Sequence, residues 1–208
     1  IWKIVMIDTG DIPYPVFVLT GLSSWYYFTY LVSNAGTSLV SAQTIIKKIY
    51  FPKLVIPVSK AITGFVNLLI TLLLLFIFMV ITGRYPNLNI IGLPVIILLN
   101  IITGLAFGIW LSALTIRFRD FHHIIPYIIG FGIWITPVFY PISLIPESYR
   151  HFIYLNPMAA VAEGYRWALL GGKLPSPWFL TSLIAVFVLL ITGMLYFRKN
   201  EGKIADMI

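Results

Sequence analysis

The sequence predicts an all-α polytopic membrane protein, and three observations point that way. Of its 208 residues, 60% are hydrophobic and 10% are charged, with a mean hydropathy of +0.96; a soluble chain of this length needs far more charge to cover its surface. The charges are also segregated: none falls between Ile12 and Ile46, and only Lys60 interrupts the run from Leu54 to Gly83. A hydrocarbon core of about 30 Å takes about 20 apolar helical residues, and the uncharged runs are long enough to supply them. The net charge of +7 therefore reads as loop lysines and arginines beside a membrane. It is not a nucleic-acid footprint, because the basic residues are scattered among apolar runs. The sequence has no cysteine, which excludes disulfides, thiol catalysis and Cys-ligated metal.

Residues 1–15 hold Lys3, Asp8, Gly10, Asp11 and two prolines around Tyr14, a polar lead-in with turn character. The chain opens on Ile1 without a signal pattern, and the expectation is that the start of the gene product is missing. The first span is expected over about 16–39. A basic elbow follows, Thr44 to Lys53. There Ile45 and Ile49, and Ile46 and Tyr50, are each four apart and share a helix face, with Lys47 and Lys48 largely outside it. Pro52 disfavours helix at Phe51 and ends the element. The second span is about 57–82, with Lys60 near enough to its start to snorkel to the headgroups. After the polar turn Gly83–Asn89 comes the third span, about 90–116, in which Gly104, Gly108 and Ser112 form a small-residue ladder suited to close helix approach.

Arg117 to His123 forms a second elbow, and a short span over about 124–140 contains Pro126 and Pro137. The next stretch, with Glu147, Arg150, His151, Glu163, Arg166 and Lys173, is too polar to span. It carries helix punctuation all the same: Pro146 opens one short helix ending near Leu155. Asn156-Pro157 reads as an N-cap with proline at the first helical position, and Gly171-Gly172 as a stop. Two short helices at about 146–170, lying on or dipping into one membrane face, are expected. Glu163 and Arg166, three apart, are placed to pair on a helix surface, for about 0.2–0.5 kcal/mol if exposed. The last span is about 177–197, after which a basic tail leaves the membrane.

Five spans put the two ends of the chain on opposite sides. The elbows, Lys60 and the tail hold nine basic residues: Lys47, Lys48, Lys53, Lys60, Arg117, Arg119, Arg198, Lys199 and Lys203. The other side holds five: Lys3, Arg84, Arg150, Arg166 and Lys173. Basic residues favour cytoplasmic loops, so the elbows and C-terminus are expected in the cytoplasm and the short helices outside. A sixth span at the front would return the N-terminus to the cytoplasm.

There is no G-x-x-x-x-G-K-[ST] loop for ATP and no H-E-x-x-H. Asp120, His122 and His123 cluster at a membrane boundary, but adjacent histidines do not place both rings on one metal ion. A solvated loop with an Arg–Asp pair is the plainer reading. No ionisable residue lies deep in a span, which argues against a proton- or ion-coupled carrier. If the chain moves a substrate, the energy comes from a partner.

Tyr50-Phe-Pro-Lys53, Phe118-Arg-Asp-Phe121, Thr136-Pro-Val-Phe-Tyr-Pro141, Leu155-Asn-Pro-Met158 with Tyr165-Arg166, and Phe197-Arg-Lys-Asn-Glu201 through Ala205-Asp206 stand in order along the chain. This series resembles the membrane subunit of ABC-2 type exporters, in particular the branch exporting polysaccharides and teichoic acids: O-antigen, capsule and wall-polymer permeases. The resemblance implies six spans per subunit and a homodimer forming one channel in the bacterial cytoplasmic membrane. It also implies a separate ATP-binding subunit for each protomer, which carries the ATP and Mg, so that no cofactor belongs to this chain. A lipid-linked glycan would be the substrate. The elbow, Ile45, Ile46, Lys47, Lys48, Ile49, Tyr50, Phe51, Pro52 and Lys53, would be the helix seated on the ATPase, where the residues alone leave a plain positive-inside anchor equally open. Asn156, Pro157, Glu163 and Arg166 would belong to the external gate. Two other functions stay open: an ABC-2 exporter of drugs or small lipids, and an intramembrane enzyme using Asp120, His122 and His123.

One further pattern concerns the substrate. Tyr127, Phe131 and Trp134 are spaced i, i+4, i+7 and share a helix face. Flat aromatic rings offer contact to sugar C–H faces without gripping hydroxyls. Trp25, Tyr26, Tyr27 and Tyr30 of the first span would supply a facing wall. The plain alternative is that these aromatics fill gaps between helices.

Overall fold

The computed structural model describes residues 9–118, 120–171 and 176–207, the last five by backbone alone. Lys3, Asp8, Arg119, Gly172, Lys173 and the side chains of Lys203, Ala205 and Asp206 lie outside the described residues. Every regular element among those described is helical. Three helices are long and apolar enough to cross a membrane, Val55–Ile81, Leu88–Arg117 (counting a leading 3-10 turn) and Phe179–Gly202, and Phe121–Ile135 is a shorter apolar one. The chain is a multi-pass, all-α membrane protein.

Helix α1 (Tyr14–Gly36) is the hub, packed against the helices at Val55–Ile81, Leu93–Arg117, Phe121–Ile135 and Pro157–Leu170. It starts behind Pro13, with proline in its first turn where the missing N–H costs nothing. It is rich in hydroxyls, and three of the buried ones are spent on its own carbonyls: Thr20 donates to Val16 O at 2.8 Å, Ser23 to Leu19 O at 2.8 Å and Ser24 to Gly21 O at 2.7 Å. A helix that satisfies its polar side chains internally can be buried without leaving donors stranded.

Two single turns follow, α2 (Ser38–Ser41) and α3 (Gln43–Ile46), and then a turn and extended chain to Pro52. Helix α4 (Val55–Ile81) ends two residues before Gly83, whose φ of +69° stops it. Helix α5 (Leu93–Arg117) lies against α1 through the small-residue ladder. A Cβ on Gly104 would sit 2.6 Å from Leu31 Cδ1 and one on Gly108 2.7 Å from Ala35 Cβ, so the ladder is used within the chain. Helix α6 (Phe121–Ile135) is shorter than expected: it stops at Ile135 and not near 140, because Thr136-Pro137 turns the backbone into an extended conformation.

Helices α7 (Glu147–Ile153) and α8 (Pro157–Leu170) appear where the punctuation places them. Asn156 caps α8, its Oδ1 accepting from Met158 N–H at 3.0 Å, and Gly171 stops it with φ of +80°. The two differ in burial: α7 is largely exposed, and α8 is not. Helix α8 is buried along most of its length against α1 and α5, with Tyr165 and Leu169 fully enclosed. Its polar look comes from few residues; Ala159, Ala160, Ala162 and Ala168 let it approach closely. Helix α9 (Phe179–Met207) runs well past the expected end of the last span, so the basic tail continues the helix.

Candidate functional site

The elbow is built differently from its sequence pattern. Helix stops at Ile46 where residues 44–51 were expected to form one, and the face shared by Ile46 and Tyr50 is split. Ile46 is buried with Leu39, Ile109, Ala113, Ile116 and Phe197, whereas Tyr50 is 99% exposed. A helix this short is marginal by itself; burial of Ile46 fixes the chain at that point, and Pro52 forbids helix just beyond. Phe51 packs partly on the same small core. What projects is an apolar and basic tip, with Ile45 and Ile49 more than half exposed beside exposed Lys47 and Lys48.

The elbow is also clasped from a direction that the sequence does not announce. Lys53 donates twice to Glu201 on α9: its backbone N–H to Oε1 at 2.8 Å and its Nζ to the carbonyl oxygen at 2.7 Å. Lys47, Lys48, Lys53, Arg117, Arg198 and Lys199 thereby share one end of the bundle, because Ile46, Ile116 and Phe197 meet in the core beneath them. The only hint of Glu201 in the sequence is an acid inside a basic run.

At the other end the Thr136–Tyr140 segment is held by three side chains from elsewhere. Asn156 Nδ2 donates to Thr136 Oγ1 at 2.8 Å, Arg166 Nη2 to Val138 O at 2.7 Å and Tyr14 Oη to Phe139 O at 3.1 Å. Non-helical backbone inside a membrane protein must be satisfied by protein in this way. Arg166 is not the exposed partner of a surface pair. It is 6% exposed, bonded to Glu163 at 2.9 Å, and its guanidinium lies 3.7 Å from the Phe17 ring centroid. Gly21 on α1 makes room for this cluster: a Cβ there would lie 3.0 Å from both Arg166 Nη2 and Val138 O. Asn156, Pro157, Glu163 and Arg166 thus come together around one loop. Tyr154, at the α7–α8 junction, is buried, and burial pushes its phenol up to about 12.

The aromatic residues separate into two groups. Tyr127, Phe131 and Trp134 are all exposed, at 69%, 71% and 68%, on the outer side of α6. Trp25 and Tyr27 are buried: Trp25 packs over Gly132 on the inner side of α6, and the Tyr27 hydroxyl donates to Ala61 O at 3.0 Å. Tyr30 lies over Gly64 of α4, and Tyr26 is exposed in the groove between α1 and α4, lined by Leu22, Leu74 and Phe78. The facing wall expected from the Trp25–Tyr30 cluster is therefore not formed within the chain. Trp25 and Tyr27 are packing residues, because α1 is central and only one of its sides is free.

Asp120, His122 and His123 are exposed, and the two imidazoles meet edge to face with centroids 5.5 Å apart. No group of metal-ligating side chains exists among the described residues. No ion pair joins Arg117 to Asp120 among them either, and the Arg117 guanidinium instead lies 5.2 Å from the Phe118 ring centroid.

The chain is 30% identical to the O-antigen export system permease protein RfbA of Klebsiella pneumoniae, over 100% of this chain and 80% of the relative. It is also 30% identical to the protein of that name from Myxococcus xanthus, over 94% and 76% of the two chains. The polysialic acid transport protein KpsM of Escherichia coli is 23% identical over 92% and 75%. The family described as ABC-2 type transporter matches residues 5–170, and the chain belongs to that family.

Proposed function

We propose that this chain is the permease subunit of an ATP-driven exporter that moves a lipid-linked polysaccharide across the bacterial cytoplasmic membrane. Two copies form the channel, and a separate subunit binds and hydrolyses ATP with Mg. The names of the relatives, O-antigen export permease and polysialic acid transport protein, support a sugar polymer as cargo over drugs or small lipids. The clustering of basic residues at one end supports a cytoplasmic position for the elbows and the end of α9. In this reading five helices, α1, α4, α5, α6 and α9, cross the bilayer, and α7 and α8 guard the outer opening.

The observation that carries the proposal is the elbow tip. Ile49 and Tyr50 stand in the open while Ile46 is locked into the core below. An apolar tip on a rigid base fits a soluble partner that pushes on it, with Lys47 and Lys48 at the rim. Replacing Ile49 with Asp tests this. The permease should insert and run as one species in detergent, while recovery of the ATPase subunit in a pull-down falls at least tenfold, equivalent to about 1.4 kcal/mol. Undiminished ATPase recovery refutes docking at the elbow. The exposed stripe Tyr127, Phe131 and Trp134 is assigned to the polymer path.

A further inference from the structure

We infer that α9 is a strut that carries movement of the elbow to the external helices, with Lys53–Glu201 as its inner joint and Ser182 as its outer joint. The inference rests on the proposed seating of an ATPase at the elbow. At the inner end both bonds from Lys53 end on Glu201. At the outer end the buried Ser182 hydroxyl donates to Tyr154 O at 2.6 Å and lies 3.3 Å from Asn156 O, the two carbonyls at the α7–α8 junction. Ser182 and Glu201 belong to one unbroken helix. The nineteen residue steps from one to the other rise about 28 Å, close to the thickness of a hydrocarbon core of about 30 Å.

The strut is braced sideways. Trp110 of α5 donates through Nε1 to Thr192 Oγ1 at 3.2 Å and stacks on Tyr196 at 5.0 Å, with Gly193 giving its indole room. Phe197 is fully buried in the core shared with Ile46 and Ile116. A helix held along its length this way tilts with α5 as a unit. Displacement of the elbow therefore reaches the junction where Asn156 caps α8 and holds Thr136. The inner joint works by hydrogen bonds, since the Lys53 ammonium is bonded to a backbone carbonyl and the Glu201 carboxylate to a backbone N–H. An amide at position 201 can replace the carboxylate as acceptor for the Lys53 N–H; a methyl group cannot, and leaves only the Nζ bond to the backbone carbonyl.

The test uses the complete permease purified with its ATPase subunit. The sequence has no cysteine, so Tyr149→Cys, on an exposed position of α7, gives a unique site in this region for a membrane-impermeant maleimide. Its labelling rate is measured with and without a non-hydrolysable ATP analogue. The parent should show a nucleotide-dependent rate. Glu201→Ala and, independently, Ser182→Ala should reduce that dependence at least about fivefold, the scale of an ordinary coupling between sites. Glu201→Gln should keep it, and all three should retain the ATPase. A parent-like response in either alanine variant overturns the strut, and so does a parent that binds ATPase but shows no nucleotide dependence. Loss of the ATPase from Glu201→Ala assigns that contact to docking and overturns transmission through it. If the parent itself brings down no ATPase, the seating at the elbow fails first and the strut fails with it.

Discussion

Helix α1 carries serines, threonines, tyrosines and tryptophan and lies buried at the centre of the bundle. Its neighbour α4 is a nearly continuous run of Leu, Ile, Val and Phe and leaves Ile70, Leu73, Leu74 and Ile77 exposed. In a soluble protein the order would be reversed. In a bilayer the outer solvent is itself apolar, so hydropathy marks the helix that meets lipid. The buried helix is marked instead by small and hydroxylated residues that allow close contact and satisfy their own donors. The same contrast explains α8, which is too polar to read as a span and is among the best-buried elements of the chain.

Substitutions along these two kinds of surface should separate cleanly. Arg166→Ala removes a buried guanidinium that serves Glu163, Val138 and Phe17 at once. Because Glu163 keeps some access to solvent, the loss should fall near the low end for a broken buried pair, about 3 kcal/mol, read as a lowered unfolding midpoint in detergent. Gly108→Ala drives a Cβ against Ala35 on α1 and should cost about 1–3 kcal/mol in the same assay. Leu73→Ala on the free side of α4 should stay within about 0.5 kcal/mol; a loss as large as that for Gly108→Ala would erase the distinction between the two helices. The double replacement of Tyr127 and Trp134 by leucine should be as mild for stability, about 0.5 kcal/mol or less. It should nevertheless lower polymer export sharply, and wild-type export would refute a polymer path along the stripe.

What the sequence makes legible is local. Pro146 ahead of α7, Asn156-Pro157 at the start of α8 and Gly171 at its end each act within a few residues, and each appears where its chemistry requires. What local sequence does not show is how the chain beyond α6 is held, by Arg166 on Val138 and Asn156 on Thr136, or that Glu201 of α9 meets Lys53, 148 residues away. The aromatic cluster of α1 shows the same limit. Nothing local tells Trp25, which needs Gly132 of α6 opposite it, from Tyr26, which has no such partner. In the elbow, the i, i+4 pattern is real in sequence but yields to the burial of Ile46 and the stop at Pro52.

The central claim is that this chain passes a lipid-linked polysaccharide with energy supplied by another subunit. The most direct measurement is purification of the complete protein from its native membrane, with mass spectrometry of everything that remains bound. The account predicts an ATP-binding subunit together with a glycan on a lipid carrier, the ATPase being lost from the Ile49→Asp variant. Recovery of the permease with neither, or with small apolar molecules in place of a glycan, would contradict it.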